Sequence, residues 1–565
     1  MIPDRLAELW EDLRWGARRI VDRLRRGPTA PPTRSQVIRR RRAVALLGLA
    51  VCVYAIFRFV PVPGLPCDVS PAKTCIPTDD AIALVPAGAQ AYLQIELDPD
   101  STQFSTAEDV ASRLPHFDQI LQGVFNRLGP APGLDLRREV GGWLGEEAAV
   151  ALVGRGQPQP LALLAIGDEA GARRFAAGLA EGRPRRIAGG ETPIRAYRNG
   201  LAFAELGGFL ALGTVSSVRA AGAASAGRGR ALADSEAADA ALDPLPDLRL
   251  AHAYLSPRGI KRQLAGRGGL ASQLDPFVDF SASRGLGAAL VADQDGFELA
   301  LESNLDPRKL NANPTFFQTF PSFDPSLAGE FSPETLLYLD IADPAQTVLA
   351  LLRQASRTAP SLVGAFNRFE GQLSRAGVDF ERGVLPLLGG EAAVGVALGP
   401  RPNVTGVFTD IDEGRAREEI ARLQVPLIAA LSPARTGQAP SFEAERIGDV
   451  VMRSVRLSPR LNLAYAIFDG KLVVSSSPQG VRQAVEGEDS LAGTEPFQGA
   501  TKRASGGVSA LVFLSLEGLV RRAEPLGLDR IVRGFAEDIS RLRGLGVSVK
   551  SDEDSLNTTF FLDIE

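Results

Sequence analysis

The sequence predicts an α+β fold: two tandem duplicated α+β repeats with largely antiparallel sheets, preceded by one transmembrane helix. The first observation is a motif that occurs twice, as LGEEAAV at Leu144–Val150 and as LGGEAAV at Leu388–Val394. The second is an element order that mixes helices with runs of consecutive strands, which indicates antiparallel sheets and not a doubly wound one. The third is a single apolar run, residues 43–60, that follows four arginines.

The repeat can be followed outward from this motif in both directions. Each copy opens with a turn and a strand around a tyrosine, Tyr92 or Tyr338, and then an Asp-Pro step that starts a helix. Helices are predicted at about 105–128 and 345–376, and each copy ends in an RGLG segment followed by a hairpin with an acidic turn.

The predicted boundaries are residues 81–305 for the first repeat, 306–330 for a connector and 331–565 for the second repeat. Each repeat is long enough to bury a core of its own. The connector is rich in Pro and Phe, and its aromatic residues are expected to pack between the halves: Phe316, Phe317, Phe320 and Phe323. The sequence leaves open whether the repeats form separate domains or share one sheet.

Residues 43–60 predict an uncleaved signal-anchor helix. The run is at the short end of the roughly 17–25 residues that span a bilayer, and Arg58 at its end can reach the interface. The cluster Arg39–Arg42 marks the cytoplasmic flank, which places residues 61–565 outside. A cleaved signal peptide is disfavoured by the sequence around Arg58, a lipoprotein by Val51 before Cys52, and a buried core helix by the basic flank.

The segment before this span is basic, whereas the rest of the chain is acidic. Residues 1–42 hold twelve Arg and five acidic residues, a net +7, so a chain of net charge −5 leaves −12 for the remainder. Within it, residues 4–26 have apolar positions spaced by three and four, which predicts an amphipathic helix. We expect inner-leaflet contact through this helix, with a cytoplasmic protein partner as the alternative.

Residues 61–80 predict an extended, Pro-rich exit linker. It contains Cys67 and Cys75, and outside the cytoplasm such a close pair predicts a disulfide. Ser70 and Lys73 match an SxxK pattern, but they lie in a prolyl loop without a helix to hold the Lys over the Ser, so we interpret the match as chance.

The sequence predicts no catalytic, cofactor or metal site. The acidic turns lack the further ligands of a calcium loop and are interpreted as solvated turns. Glu147 and Glu391 recur in apolar surroundings; they would be an acid/base pair if they shared a cleft, but we favour a structural role, a backbone cap or an Arg pair. His116 and His252 have no duplicate. The acidic body argues against nucleic acid.

Several short motifs together resemble a known family. They are a Pro that precedes Tyr-Leu (Pro86–Leu93, Pro333–Leu339), the LGxEAAV strand, a Leu-Ala-x-Ser/Thr-Glu segment (Leu232–Glu236, Leu491–Glu495) and the single basic-flanked anchor. The chain is similar over about residues 80–565 to domain-of-unknown-function family 3352. The resemblance implies an uncharacterised, exported and membrane-anchored protein of actinobacterial type, and it supplies no catalytic residues.

We therefore expect a single-pass plasma-membrane protein with a cytoplasmic N-terminus, whose extracytoplasmic body is a non-enzymatic envelope binding or scaffold module. One alternative is an apolar-ligand or lipid carrier, which a large Phe-lined cavity between the halves would support. The other is a carboxylate-dependent hydrolase, which requires Glu147 and Glu391 to face one cleft. The partner, an unknown envelope protein or lipid, and the oligomeric state cannot be read from the sequence.

Overall fold

A computed structural model describes residues 78–117, 141–178, 184–187, 192–265, 283–306, 321–398, 402–431, 441–458, 462–504, 506–521 and 536–565, apart from residues 155, 359, 376, 488 and 553. The predicted cytoplasmic helix, the predicted span 43–60, the pair Cys67 and Cys75 and connector residues 307–320 lie outside these ranges. Among the described helices, none combines the length and the hydropathy that crossing a membrane requires. Residues Cys75–Glu565 make up one compact unit.

The first half, residues 78–306, contains ten strands and five α-helices within the described ranges. The strands are β1 (Ala91–Glu96), β2 (Leu144–Val153), β3 (Gln159–Ile166), β4 (Arg185–Ile187), β5 (Ile194–Ala196), β6 (Ala202–Leu206), β7 (Phe209–Gly213), β8 (Ala251–Leu255), β9 (Ser283–Asp293) and β10 (Gly296–Leu305). The helices are α1 (Thr102–Ala111), α2 (Glu169–Gly178), α3 (Val215–Ser225), α4 (Glu236–Leu242) and α5 (Pro257–Ala265). Short 3-10 helices lie at Ala81–Leu84 and Leu232–Asp234.

The second half, residues 321–565, follows the same strand sequence. The strands are β11 (Thr335–Ala342), β12 (Glu391–Leu398), β13 (Pro402–Phe408), β14 (Glu443–Ile447), β15 (Val450–Arg456), β16 (Asn462–Phe468), β17 (Lys471–Ser475), β18 (Ala510–Ser515), β19 (Leu542–Ser551) and β20 (Ser555–Ile564). The helices are α6 (Pro344–Thr358), α7 (Pro360–Arg375), α8 (Glu413–Leu431), α9 (Pro478–Glu486), α10 (Glu495–Thr501), α11 (Leu516–Arg521) and α12 (Ala536–Ser540). Short 3-10 helices lie at Leu327–Glu330, Leu385–Leu387 and Leu491–Gly493, and a π-helical turn at Phe380–Val384.

All twenty strands belong to one antiparallel sheet. The pairings give the order β4-β5-β6-β7-β3-β2-β1-β8-β9-β10-β20-β19-β18-β11-β12-β13-β17-β16-β15-β14. The second half repeats the order of the first half in mirror image, and the two meet at β10 and β20, which pair from Gly296 with Asp563 to Asn304 with Ser555. The α+β class and the antiparallel sheet are therefore as predicted, and the halves share one sheet.

Alternating burial along the strands gives the sheet two different faces. In β11, Leu336, Tyr338 and Asp340 point to the buried side, while Leu337 and Leu339 point the other way and are exposed. This period of two is what a pleated strand imposes. We call the side that carries the tyrosine the covered face and the opposite side the open face.

Helices pack on the covered face along both halves. In the first half α3 and α4 supply Val218 and Ala241 to a core that includes Tyr92. In the second half α9 and α10 supply the corresponding residues to a core around Tyr338. Glycines allow this close packing, because a Cβ on Gly287 would lie 1.9 Å from a carbonyl oxygen of α4. The RGLG segment thus serves helix–sheet contact.

On the open face, described helices cover the two ends of the sheet. Helix α2 packs Phe175 over β3, β6 and β7, and α8 packs Ile420 over β16 and β17. The predicted helix at about 345–376 is two helices, α6 and α7, and the described part of the one at about 105–128 is α1. Strands β4 and β14 had not been predicted.

Candidate functional site

Three parallel rows of uncharged residues cross the middle of the open face from β10 to β13. In each row, neighbours are directly paired across adjacent strands and therefore share the face. The central row is Leu299, Phe560, Val547, Val512, Leu339, Val394 and Gly406. The flanking rows are Phe297, Leu562, Leu545, Leu514, Leu337, Val396 and Val404, and Leu301, Thr558, Val549, Ala510, Ile341, Ala392 and Phe408. We call these three rows the open strip.

The open strip carries most of the exposed large apolar side chains of the described chain. Seven such residues occur, and five lie on the strip: Leu299 (38% exposed), Leu337 (42%), Leu339 (37%), Val394 (38%) and Val404 (49%). The other two are Val425 on α8 and Val451 on β15. Backbone polar groups here are engaged in the sheet, so the strip presents apolar side chains and a single hydroxyl, that of Thr558. A contiguous exposed apolar patch of this kind typically marks a binding surface.

The pleat fixes the size of the open strip. It crosses seven strands, or six intervals of about 4.8 Å, and is therefore about 29 Å long. Its rows are two residues apart along each strand, which is about 7 Å, so three rows are about 14 Å wide. The strip thus has an area of about 400 Å².

The glutamates of the two LGxEAAV motifs lie beside the covered face, away from the strip: Glu147 is the fourth residue of β2 and Glu391 is the first residue of β12. Glu147 on β2 is 6% exposed and accepts hydrogen bonds from the backbone N–H groups of Asp80 (3.2 Å) and Ala81 (3.1 Å). Glu391 on β12 accepts from the N–H and the hydroxyl of Ser326, both at 2.8 Å. Each glutamate therefore caps the 3-10 helix that opens its half.

These two glutamates do not form one site. From β2 to β12 there are nine strand intervals, or about 43 Å along the sheet. Their equivalent positions and the backbone caps confirm the structural role that we favoured, although backbone N–H groups and not arginines are the partners. The shared cleft that a two-glutamate hydrolase requires is not formed.

A second carboxylate lies beside each capping glutamate. In the first half Asp79 accepts hydrogen bonds from the Tyr92 hydroxyl and from the N–H of Ile82 (3.0 Å), and it lies 2.8 Å from Nε2 of His252. Burial, and then the charge of Asp79, raise the pKa of Glu147 to about 8. His252 is therefore a member of this buried cluster. Nothing in the sequence indicated this contact, because His252 has no counterpart in the second half.

In the second half the additional carboxylate comes from a different position. Asp340 on β11 is fully buried and accepts a hydrogen bond of 2.6 Å from the Tyr338 hydroxyl. Burial, with the nearby charge of Glu391, raises the pKa of Asp340 to about 8. Its other oxygen, Oδ1, is buried without a hydrogen-bond partner among the described residues, which adds to the cost of ionising this carboxyl.

The other residues singled out in the sequence lie apart from these features. His116 contacts Asp538 through its backbone N–H and its ring, both at 2.8 Å. The first acidic turn is not simply solvated, because Asp293 is ion-paired with Lys502 and Arg503 of the second half. Within the described residues no group of three His, Cys, Asp or Glu side chains is arranged to hold a metal ion.

The connector aromatic within the described ranges does not lie between the halves. Phe323 pairs with Val508 and packs against the core of the second half, and the other three connector phenylalanines lie outside those ranges. A cavity of ≈ 1080 Å³ lies within the second half, between β11–β13 and the start of α9. Its lining mixes polar side chains such as Asn403, Asn462 and Arg482 with Phe331, and it lies within one half, so it does not match the Phe-lined cavity between the halves that was expected of a carrier.

Sequence reasoning missed Asp79, Asp340 and the open strip. Asp340 could have been found, since it lies two residues after Tyr338 and so on the same side of a strand. The strip had a weaker signal: β18 and β20 carry apolar residues on both faces, as in Phe560 and Phe561.

Comparison with known proteins gives a family and little else. No curated protein matches this chain. Among solved structures, "Structure of crystal form IV of TP0453" is 9% identical and covers 42% of this chain and 85% of that one, with a TM-score of 0.23. "Structure of crystal form III of TP0453" is 10% identical, covers 44% and 90%, and has a TM-score of 0.24. Similarity at this level carries no argument about fold or function. The family model for DUF3352, "Protein of unknown function", matches residues 43–564, and the chain belongs to this family.

Proposed function

We propose that this protein is a non-enzymatic, membrane-anchored binding module that holds the acyl chains of a lipid on the open strip. The observation that carries the proposal is the concentration of five exposed large apolar side chains in one uncharged strip. Removing such side chains from water is favourable by about 25 cal/mol per Å² of apolar surface. The proposal joins the binding module and the lipid carrier that the sequence left as alternatives, with an open surface in place of a cavity.

A lipid chain fits the strip better than a protein surface does. The strip offers no charge and no free backbone group to pair with a polar partner, whereas hydrocarbon needs neither. Its footprint of about 400 Å² carries no charge and one hydroxyl, whereas a standard protein interface adds a polar rim with about ten hydrogen bonds. A second copy of the chain is therefore a poor occupant for this surface alone.

The remaining parts of the proposal come from the sequence and concern where the protein lies relative to the membrane. Residues 43–60 serve as the single anchor, residues 4–26 contact the inner leaflet, and the body lies outside the cytoplasm with Cys67 and Cys75 joined. A bilayer beside the body is then the source of the lipid. The mirrored strand order supports an origin of the two halves by duplication. The engagement of both glutamates as caps supports a non-enzymatic role.

Lipid binding by matched variants of the full chain tests the proposal. Leu339→Glu places a charge in the central row of the strip, and Val425→Glu introduces the same charge at a residue that is 74% exposed on α8. The proteins are purified in detergent, and the transfer of a fluorescent phospholipid from vesicles to protein is measured. Losing one buried leucine contact predicts at least roughly tenfold weaker binding for Leu339→Glu, while Val425→Glu binds like the parent.

Two results would count against this function. One is equal lipid binding by the parent and Leu339→Glu, with both folded by circular dichroism. The other is no transfer to the parent at all, which would return the protein to a scaffold role.

A further inference from the structure

The sheet ends in two edge strands that differ in charge. Within the part of the chain that the structure describes, β4 (Arg185–Ile187) pairs only with β5, and β14 (Glu443–Ile447) pairs only with β15. An edge strand directs the N–H and C=O groups of alternate residues away from its one partner. Each edge can therefore accept a further strand.

The hairpin of β4 and β5 is a concentrated basic patch. Residues 183–198 contain five Arg and one acidic residue, a net +4, in a chain whose residues 43–565 carry −12. Four of these arginines lie in described ranges, where all are exposed and none is ion-paired with another described residue: Arg185, Arg186, Arg195 and Arg198. The patch is therefore open to an anionic partner.

Two of these arginines lie directly opposite each other. Arg186 pairs with Arg195 across the two strands, so both side chains emerge on one face of the sheet. Like charges in this position destabilise an antiparallel pair. An anion beside them is attracted by both, so a bound anionic group would stabilise the hairpin.

The arginines of the edge strand point to both faces of the sheet. Arg185 lies on the same side as Ile187, which packs against the core of the covered face, and Arg186 lies on the open side. A flat anionic surface, such as a layer of lipid headgroups, reaches only one of these sides. A strand that lies beside β4 in the plane of the sheet carries side chains to both.

The opposite edge does not carry charge of one sign. Strand β14 has Glu443 and Glu445 together with Arg446, and Glu445 is already ion-paired with Arg482 of α9. Charged residues on an edge strand ordinarily oppose the addition of other strands. On β4 all the charges are positive, so they repel basic strands and attract acidic ones.

We propose that the β4 edge binds an acidic, extended segment of another protein, which adds to the sheet as a further strand. Main-chain hydrogen bonds to β4 contribute to binding, and ion pairs with Arg185, Arg186 and Arg195 select acidic side chains. The edge is nine strand intervals, or about 43 Å, from β10, where the open strip begins. Binding at this edge is therefore independent of lipid on the strip.

Peptide binding to the full chain in detergent tests the proposal. The probe is a fluorescein-labelled peptide, Thr-Val-Glu-Glu-Thr-Val-Thr, whose two glutamates face opposite sides when it is extended. One control peptide has glutamine in place of both glutamates. The other keeps the glutamates and has proline in place of both valines, which preserves the charge but prevents strand pairing. Fluorescence anisotropy should show at least about fivefold tighter binding of the probe than of either control.

Matched variants locate the site. Arg186→Gln should weaken binding of the probe about fivefold, the loss of one exposed ion pair, whereas Arg186→Lys keeps the charge and should stay within about twofold of the parent. Arg446→Gln removes a positive charge from the exposed part of the opposite edge and should bind like the parent. Circular dichroism checks that each variant is folded, and hydrogen exchange should show that the probe protects the amides of β4.

Three results would overturn the proposal: no binding of the probe to the parent, equal weakening by Arg446→Gln, or equal binding of the proline peptide. If the proline peptide binds equally and dihexanoyl-phosphatidylglycerol displaces it, the patch takes anionic headgroups in place of a strand. If the probe does not bind but the parent self-associates in light scattering, and Arg186→Gln abolishes this, the partner is a second copy of the chain. None of these outcomes bears on lipid binding by the strip.

Discussion

Replacement of the capping Glu147 by Gln should change how stability depends on pH. Burial, and then Asp79, raise the pKa of Glu147 to about 8, from 4.5 for the ordinary side chain. The folded state therefore binds this proton more tightly than the unfolded state. Its contribution to stability is complete below about pH 4.5 and is lost as pH rises toward about 8.

The size of the effect follows from that shift. A rise in pKa from 4.5 to about 8 corresponds to roughly several kcal/mol of unfolding free energy, which is lost as the pH rises between those two values. Glutamine carries no charge at any pH, so the variant lacks this loss. However, the glutamine amide has only one oxygen, so its nitrogen faces one of the two backbone N–H groups that donate hydrogen bonds to Glu147. The loss of that hydrogen bond should lower the free energy of unfolding by about 1 kcal/mol at every pH. The variant should be the less stable protein near pH 5 and the more stable one near pH 9.

Urea unfolding of the full chain at about pH 5, 7 and 9 measures this crossing. Asp340 lies in the other half and titrates in both proteins, so its effect cancels in the difference. Glu96 lies directly opposite Glu147, and burial raises its pKa to about 7, so the comparison is made in a Glu96→Gln background. Val425→Ala, an exposed and uncharged change, should differ from the parent by the same amount at each pH. A difference between Glu147→Gln and the parent that does not vary with pH would refute the reasoning.

Two further substitutions probe packing and the join between the halves. In a thermal unfolding assay, Gly287→Ala should destabilise the protein by about 1–3 kcal/mol, since its Cβ would lie 1.9 Å from a carbonyl oxygen of α4. The control Gly88→Ala has open space around the new Cβ, so its stability should lie within about 0.5 kcal/mol of that of the parent. Asp293→Asn should cost about 1 kcal/mol by weakening its ion pairs with Lys502 and Arg503. Added salt should reduce that difference, and an unchanged difference at high salt would argue that the ion pairs do not contribute.

Local pattern explains what the sequence predicted correctly. The LGxEAAV motif ends in small apolar residues, which suit a strand packed closely on one face, and in both copies these residues lie in a strand. Tyr92 and Tyr338 recur at the centre of a strand because an aromatic residue fits a half-buried pleated surface. The alternation of residue types along the chain is enough to predict such features, because each depends only on residues that are close in the sequence.

Features that depend on distant parts of the chain could not be predicted. The pairing of β10 with β20 joins residues such as Glu302 and Asn557, which are 255 positions apart. The exposure of Leu339 depends on which helices cover the sheet, and a strand with apolar residues on both faces is equally consistent with full burial. Asp79 and His252, which are in contact, are 173 positions apart.

The order in which the chain is synthesised gives the central pair of strands a particular place in folding. Strand β10 is made long before β20, and until then its outer edge has no partner. An unpaired edge beside an apolar surface is the combination that most readily recruits other chains. Closing a loop of this length is also slow, because its entropy must be lost before the contacts form. The step that joins the halves is thus the one at which a nascent chain most needs protection from aggregation, and truncation of residues 555–564 would make that exposure permanent.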